Sequence, residues 1–343
     1  MKLLFIKLKH IGDALLLTPT LEAARRRHPD AEISVWLRSG TEGILSGCTA
    51  LDRLLVTSPP GASSGWASRI ATDFSTLSML RQEGIDLVFD LSEGPRGRWL
   101  SLATGARFIA CASTDAIPKP WPALFDVCKP YHACGDHRVL HDYLLAKELL
   151  DLPEEAPPLQ FARERANFDL VRQNGLEGAV VLHPATRWKR KMWPVAHWAA
   201  LCRHLDALGC RLVLSSGPVE DEVRACREIQ ASSGVPMLLT EGRLDWAAMA
   251  GLLMSARLFI GVDTAAMHLA AACQTPLVAL FGPTVESAWR PWKCDHVLVT
   301  PRMSDAEITR PDGHVDLRLR KIDRIEVTDV LHACQQMLAG GRT

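Results

Sequence analysis

Asp263, Thr264 and His268 stand close together in FIGVDTAAMHLAAA (259–272), where an apolar run stops and an Ala-rich, helix-like run begins. Such a trio admits a hydrolytic triad, half of a metal site, or an anion seat at a helix start. Thr264 and His268 are four apart and share one helix face, which offers no activating geometry for a triad. A metal would need further ligands that the neighbourhood does not supply. A helix start, by contrast, presents unpaired N–H groups and a dipole that favour phosphate, and Ala265 and Ala266 leave room for it. The alternative is a plain helix start, with Asp263 as N-cap and His268 in the core. This stretch alone does not choose between the two.

Other polar clusters also follow apolar runs. HPATRWKRKMWP (183–194) offers Thr186, Lys189 and Lys191 for charge-assisted hydrogen bonds to phosphate oxygens. SSGPVEDE offers Glu220 as an acid to accept from ribose hydroxyls, as acids in nucleotide-binding α/β folds do, although on this stretch alone a surface acid is the favoured reading. EGRLDW contributes Leu244 as a wall for a base, and FGPT (281–284) a tight turn. Near the start, KLKHIGDALLL sets Lys9, His10 and Gly12 before Asp13, a carboxylate with an ordinary pKa near ~4 that is ionised at neutral pH and suited to general-base work. Asp is equally common as a helix cap there. SEGPRGRW adds Arg96 and Arg98 as anion contacts; Arg25, Arg26, Arg27 and a long loop over 117–132 are further anion-contact candidates. His132, Cys134, His137 and His141 resemble a metal cluster loosely, and loop plus helix start is the favoured reading. Neither G-x-G-x-x-G nor a Walker P-loop is present, which disfavours NAD enzymes and ATPases.

The elements that position these clusters alternate. KLLFIKL, AEISVWL, IDLVFDLS and ARFIAC read as strands separated by helix-like segments, the first of which runs to about Arg27 with a kink at Pro19. DLPEEAPPLQF (151–161) interrupts the pattern as a linker, after which AVVLHPA, CRLVLSSGP, VPMLLT, ARLFIGVD and TPLVALFGP restart it. Gly209 is expected to stop the helix VAHWAALCRHLDALG, and Thr328 to cap a last helix. The reading is α/β: two doubly wound, Rossmann-like parallel-sheet domains facing each other across a cleft, with ligands at the carboxyl ends of the strands. The expected boundaries are 1–155, 156–326, and 327–343 as a C-terminal helix packing back on the first domain.

A 343-residue chain with 48% hydrophobic and 23% charged residues suits two soluble globular domains. Zero formal net charge argues against general nucleic-acid binding. Ten scattered cysteines without a C-x-x-C spacing read as reduced thiols in a cytoplasmic protein. The opening MKLLFIKLKHIGDALLL is interrupted by Lys7, Lys9, His10 and Asp13, so it is read neither as a signal peptide nor as a span.

Taken together, IKLKHIGDALLLTPTLEAARRRHPDA, HPATRWKRKMWP, SSGP and FIGVDTAAMHLAAACQTPLVALFGPT resemble the ADP-heptose:lipopolysaccharide heptosyltransferases, glycosyltransferase family 9, in the same order over most of the chain. LFGPTVESAWRPW is most similar to the heptosyltransferase III branch. The resemblance implies the GT-B fold and an inverting, metal-independent transfer of L-glycero-D-manno-heptose from ADP-heptose to a heptose of the lipopolysaccharide inner core, at its side branch. It implies no cofactor beyond the donor, a lipid A–core oligosaccharide acceptor, and a cytoplasmic site at the inner face of the inner membrane. Asp13 matches the family's base and Lys191 its lysine over the donor phosphates. Thr186, Glu220, Asp263, Thr264 and His268 match its donor contacts; Lys189, Leu244 and Ala265 join them from the reading above, with Lys9, His10, Arg96 and Arg98 on the acceptor side. Ala265 stands where the family often has Gly, and Lys189 competes with Lys191 for the phosphate role. Rival readings are another GT-B sugar-nucleotide transferase or epimerase, or a non-catalytic sugar-nucleotide-binding protein.

Overall fold

The computed structural model describes residues 1–57, 66–113, 121–130, 137–312 and 316–340. They form two compact units, Met1–Leu159 and Gln160–Thr343, so the chain changes unit within the Pro- and acid-rich 151–161 segment. Each unit is built on a six-stranded parallel sheet.

In the first unit the strands are β1 (Lys2–Lys7), β2 (Glu32–Leu37), β3 (Arg53–Val56), β4 (Leu87–Asp90), β5 (Phe108–Ser113) and β6 (Val127–Pro130), in the order β3-β2-β1-β4-β5-β6. Helices α1 (Ile11–Leu16), α2 (Thr18–Arg27), α3 (Trp66–Glu83), α4 (Pro95–Ala103) and α5 (Arg138–Leu150) connect them. Leu3, Leu4, Phe5 and Ile6 of β1 are all fully buried, as a strand covered on both faces requires. The segment expected as one kinked helix is two. Pro19, at the second position of α2, has no N–H for an α1 carbonyl, and the break falls at Leu17. Strands β3 and β6 were not expected. The second lies inside the 117–132 stretch anticipated as loop; it is short, and at the sheet edge Pro130 needs no ladder donor. Residues 117–120 and 131–132 of that stretch lie outside the described residues.

In the second unit β7 (Val180–His183), β8 (Leu212–Leu214), β9 (Leu238–Leu239), β10 (Leu258–Val262), β11 (Leu277–Leu280) and β12 (His296–Val299) take the order β12-β11-β10-β7-β8-β9. The helices are α6 (Asp169–Asn174), α7 (Val195–Ala207), α8 (Glu220–Ser233), α9 (Trp246–Ser255), α10 (Ala265–Ala272), α11 (Glu286–Trp289) and α12 (Val327–Ala339). Gly209 follows α7 at φ +72°, the left-handed turn that a glycine stop supplies. The edge strand β12 was not expected. The last helix, α12, belongs to the second unit. Its buried residues Val330, Ala333, Cys334 and Met337 belong to the core formed by β7, β8, β10, β11 and α7, which takes up the helix's apolar face. Its N-cap is Glu326 rather than Thr328.

Both sheets reverse strand order beside their first strand, between β1 and β4 and between β10 and β7. In such sheets the loops leaving the two strands diverge to opposite faces, opening a crevice at the carboxyl edge. Among the described residues no helix is long and apolar enough to cross a membrane.

Candidate active site

In the second unit the loops flanking the reversal meet through one ion pair. Lys191, from the basic loop after β7, donates through Nζ to Asp263 Oδ2 at 2.6 Å, just past the end of β10. Lys191 is 15% and Asp263 6% exposed, so the pair is held largely out of water. Lys191 also lies 5.1 Å from the centroid of the Trp188 ring. Lys189 and Arg190 are exposed, so only Lys191 of this run turns inward. A short helical turn at Lys189–Lys191 causes the difference by rotating neighbouring side chains apart.

Next to that pair α10 begins. Thr264 is its N-cap, with extended backbone and no side-chain capping bond, so the hydroxyl leaves the first N–H groups unused. Ala265, the first helical residue, is half-buried and small, and His268 is buried with its ring 6.4 Å from that of Trp289. Gly261 permits the close packing of β10: a Cβ there would meet the Phe259 ring at 2.7 Å. The hydroxyls of Thr240, Thr264 and Thr284 are buried without a hydrogen-bond partner among the described residues. All three follow the carboxyl ends of strands, β9, β10 and β11. Buried hydroxyls are ordinarily paired, so three orphans along one sheet edge mark a surface shaped for a polar ligand.

Beneath this edge His183 and Ser215, at the ends of β7 and β8, form a buried pair at 2.9 Å. Ser215 donates its own proton to the Leu182 carbonyl, which makes His183 the donor through Nδ1. Burial pushes the His183 pKa down to about 4, so the ring is neutral and serves as a fixed post for the loop above. Thr186 is half-buried in that loop and its Oγ1 accepts from the Trp188 N–H at 3.4 Å.

Glu220 is placed differently from expectation. As the first residue of α8 its side chain is 76% exposed, and it lies 3.8 Å from Arg227 on the surface. Two positions along the helix, Glu222 is buried and accepts from the Gly217 N–H at 2.9 Å. Burial raises its pKa, the Gly217 bond opposing. The acid that faces the SSGP loop is thus Glu222, because the first turn of α8 carries Glu220 outward. Leu244 is half-buried after β9.

The first unit repeats the arrangement. Lys9, after β1, pairs with Glu93, after β4, across the reversal, and Arg138 of α5 reaches the other Glu93 oxygen at 2.7 Å. Burial lowers the Lys9 pKa, opposed by Glu93. Asp13 is buried in the first turn of α1, where its Oδ2 accepts from the exposed His10 N–H at 3.2 Å. Asp13 therefore also caps its own helix, which fixes the carboxylate.

Sequence reasoning passed over the pair beneath it. Lys7 Nζ lies 2.6 Å from both oxygens of Asp142 in α5, and neither residue sees solvent to any extent. Burial raises the Asp142 pKa to about 6; Lys7 opposes that rise and Asp13 adds to it, which puts the Asp13 charge within electrostatic reach. A signal existed: Lys7 ends an otherwise apolar strand, and Asp142 shares the apolar face of α5 with Val139 and Ala146.

The two arginines of α4 part company. Arg96 is half exposed and engaged by Asp73 at 2.7 Å. Arg98 is buried, its guanidinium 5.9 Å from the Trp121 ring centroid and its Nε without a hydrogen-bond partner among the described residues. Arg25 and Arg27 pair with Asp52 and Asp151. His137 caps α5 through Nδ1, which accepts from the Val139 N–H at 3.2 Å, while His132 and Cys134 lie outside the described residues. Among the described residues no three His, Cys, Asp or Glu side chains are grouped to hold a metal ion.

Two parallel sheets that each reverse beside their first strand, with ionisable residues gathered at the reversals, define an α/β protein of the GT-B class. Its residues 74–312 match the model of glycosyltransferase family 9 (heptosyltransferase). The chain is 31% identical over 294 residues to lipopolysaccharide heptosyltransferase 3 of Escherichia coli, covering 82% of this chain and 83% of that protein. The E. coli ADP-heptose lps heptosyltransferase II has the same fold, at a TM-score of 0.79 and 19% identity, covering 99% of each chain. The E. coli heptosyltransferase WaaC, solved with ADP, superposes at 0.74 and 19% identity over 98% of this chain and 100% of that one. The chain belongs to glycosyltransferase family 9 and is a glycosyltransferase.

Proposed function

We propose that this glycosyltransferase moves L-glycero-D-manno-heptose from ADP-heptose onto a heptose of the lipopolysaccharide inner core, forming the side branch, with inversion at the anomeric carbon. The Lys191–Asp263 pair beside the start of α10 carries the reading, because it pre-positions a cation and free N–H groups where a departing diphosphate gains charge. An exposed helix terminus stabilises an anion by ~0.3–1 kcal/mol and a partly buried one by up to ~2, so Lys191 takes the larger share. Thr186, Lys189, Leu244, Ala265 and His268 line or support the donor seat in this scheme. Thr264 offers its backbone and free hydroxyl, and Asp263 contacts sugar hydroxyls. Glu222 replaces Glu220 as the acid for the ribose, on the strength of its burial toward Gly217.

Asp13 is the general base: it accepts the proton of the acceptor hydroxyl as the new bond forms and the ADP bond breaks. Lys9, His10, Arg96 and Arg98 attend the acceptor. The scheme needs no metal or cofactor beyond the donor, and it runs at the cytoplasmic face of the inner membrane, where a lipid A–core acceptor is held. The likeness to heptosyltransferase 3 supports the side-branch position.

The test is mass spectrometry of truncated core lipopolysaccharides incubated with the protein and ADP-heptose. Addition of one heptose, only to acceptors that already carry the main-chain heptoses, is expected. Addition to a heptose-free core would assign a different step, and no addition to any core would remove the reading.

A further inference from the structure

Strands β5 and β6 bring two thiols together in a place the transfer reaction does not use. Cys111 and Cys128 are register partners on these adjacent parallel strands, and their sulfurs lie 2.9 Å apart. Paired residues on neighbouring strands stand ~4.7–4.9 Å apart along the hydrogen-bonding direction, inside the ~4.4–6.8 Å Cα range of disulfides. In-register positions on parallel strands also face the same side of the sheet, so the two Cβ vectors run together instead of apart. Cys111 is fully buried while Cys128, on the edge strand, is partly exposed. Cys128 packs against the same core cluster as Cys111, and of the two thiols it is the less buried one, at the sheet edge.

We propose that Cys111 and Cys128 form a reversible oxidation site, a dithiol that closes to a disulfide on exposure to a peroxide. Cys128, the less buried thiol, loses its proton and its thiolate attacks a peroxide oxygen. An S–O bond forms, the O–O bond breaks, and the departing hydroxide takes up the proton as water. The Cys111 sulfur then attacks the Cys128 sulfur. The S–S bond forms, the S–O bond breaks, and the hydroxyl leaves with the Cys111 proton as a second water. The two thiols lose two electrons and hydrogen peroxide is reduced to two waters. Cys111 is fully buried and Cys128 lies on the edge strand, which assigns the first attack to Cys128; burial also raises the Cys111 pKa. The bond ties the edge strand of the first unit to its neighbour and closes the chain between residues 111 and 128.

The reduced full-length protein is treated with hydrogen peroxide, blocked with iodoacetamide and mapped by mass spectrometry, once folded and once in guanidinium. Folded protein is expected to lose two hydrogens and to give a linked Cys111–Cys128 peptide pair as its main disulfide, reversed by dithiothreitol. The denatured sample is expected to scatter its links over the ten cysteines. Closing a loop of this length raises the melting temperature by several degrees in the oxidised form. C128S is expected to abolish the link, and C111S to leave Cys128 as a sulfenic acid that dimedone traps. The proposal is overturned if both thiols stay alkylatable in the folded protein, if Cys128 pairs with another cysteine, or if the 111–128 link is no more frequent folded than denatured. Because the comparison of folded with denatured wild-type protein needs no variant, it stands even if a serine variant fails to fold.

Discussion

Replacing Lys191 by methionine separates the ion pair its ammonium group makes from the diphosphate contact proposed for it. In the folded protein its 2.6 Å contact neutralises Asp263, which is only 6% exposed. Removing one partner of a buried pair costs ~3–5 kcal/mol, and the lower end applies here because the lysine keeps some solvent. In the proposed donor complex the same ammonium group meets the diphosphate, and a hydrogen bond to a charged group contributes ~1.5–3 kcal/mol. K191M is thus expected to lower the stability of the second unit by about 3 kcal/mol in urea unfolding and to weaken ADP binding by ~10–100-fold in calorimetry. The decisive variant is K191M/D263N. With both charges removed no carboxylate is stranded, so most of the stability returns, while the ADP affinity stays low. ADP is the right probe because it lacks the heptose hydroxyls proposed to touch Asp263. Affinity within threefold of wild type in K191M, or affinity that recovers with stability in the double variant, would refute the assignment of Lys191 to the diphosphate.

Asp13→Asn keeps shape and the hydrogen-bond acceptor for the His10 N–H, so it should fold and bind ADP normally while turnover falls by 10²-fold or more, measured with saturating donor; near-normal turnover sinks the base assignment. Glu222→Gln should weaken ADP binding more than Glu220→Gln, and the reverse order in calorimetry would return the ribose role to Glu220. Lys7→Met leaves Asp142 buried without its cation, and a loss of ~3–5 kcal/mol in urea unfolding is expected; K7M/D142L should recover most of it, and no loss in the single variant would mean the carboxyl is already protonated. His183 sets an acid limit. Its pKa falls from the usual 6.5 to about 4 on folding, so between these values the unfolded chain binds the extra proton. The contribution is fully present above pH 6.5 and is lost as pH falls toward 4, by roughly 3 kcal/mol; a His183→Gln protein should show a correspondingly flatter pH–stability curve across that window.

Much of this protein is legible before any coordinates. Strand–loop–helix alternation is carried by local signals: runs such as KLLFIK and LFIGV that are apolar on both faces, glycine at the end of α7, and proline inside the 151–161 linker. These signals act over a few residues, so they survive reading along a line. The candidate loops were legible for the same reason, since function in such sheets collects at strand ends, and the residues there are polar against an apolar background. Asp13, the Lys189–Lys191 run, Asp263 and Thr264 are candidates on that ground.

What the line of residues does not contain is the partner of each charge. Lys189 and Lys191 are equal in sequence, and only the turn that rotates one toward Asp263 distinguishes them. Glu220 and Glu222 differ by two helical positions, a rotation of roughly 200°, which sends one outward and the other to Gly217. Lys7 meets Asp142 across 135 residues of chain, and Cys111 meets Cys128 only because an unexpected edge strand comes to lie beside β5. The C-terminal helix was expected against the first domain, and its buried residues enter the core beside α7 and β11. Short-range order follows from backbone preference and hydrophobic period, which each residue carries with it. Pairing follows from the packed topology, where a buried charge must be matched by whichever residue the sheet order brings near.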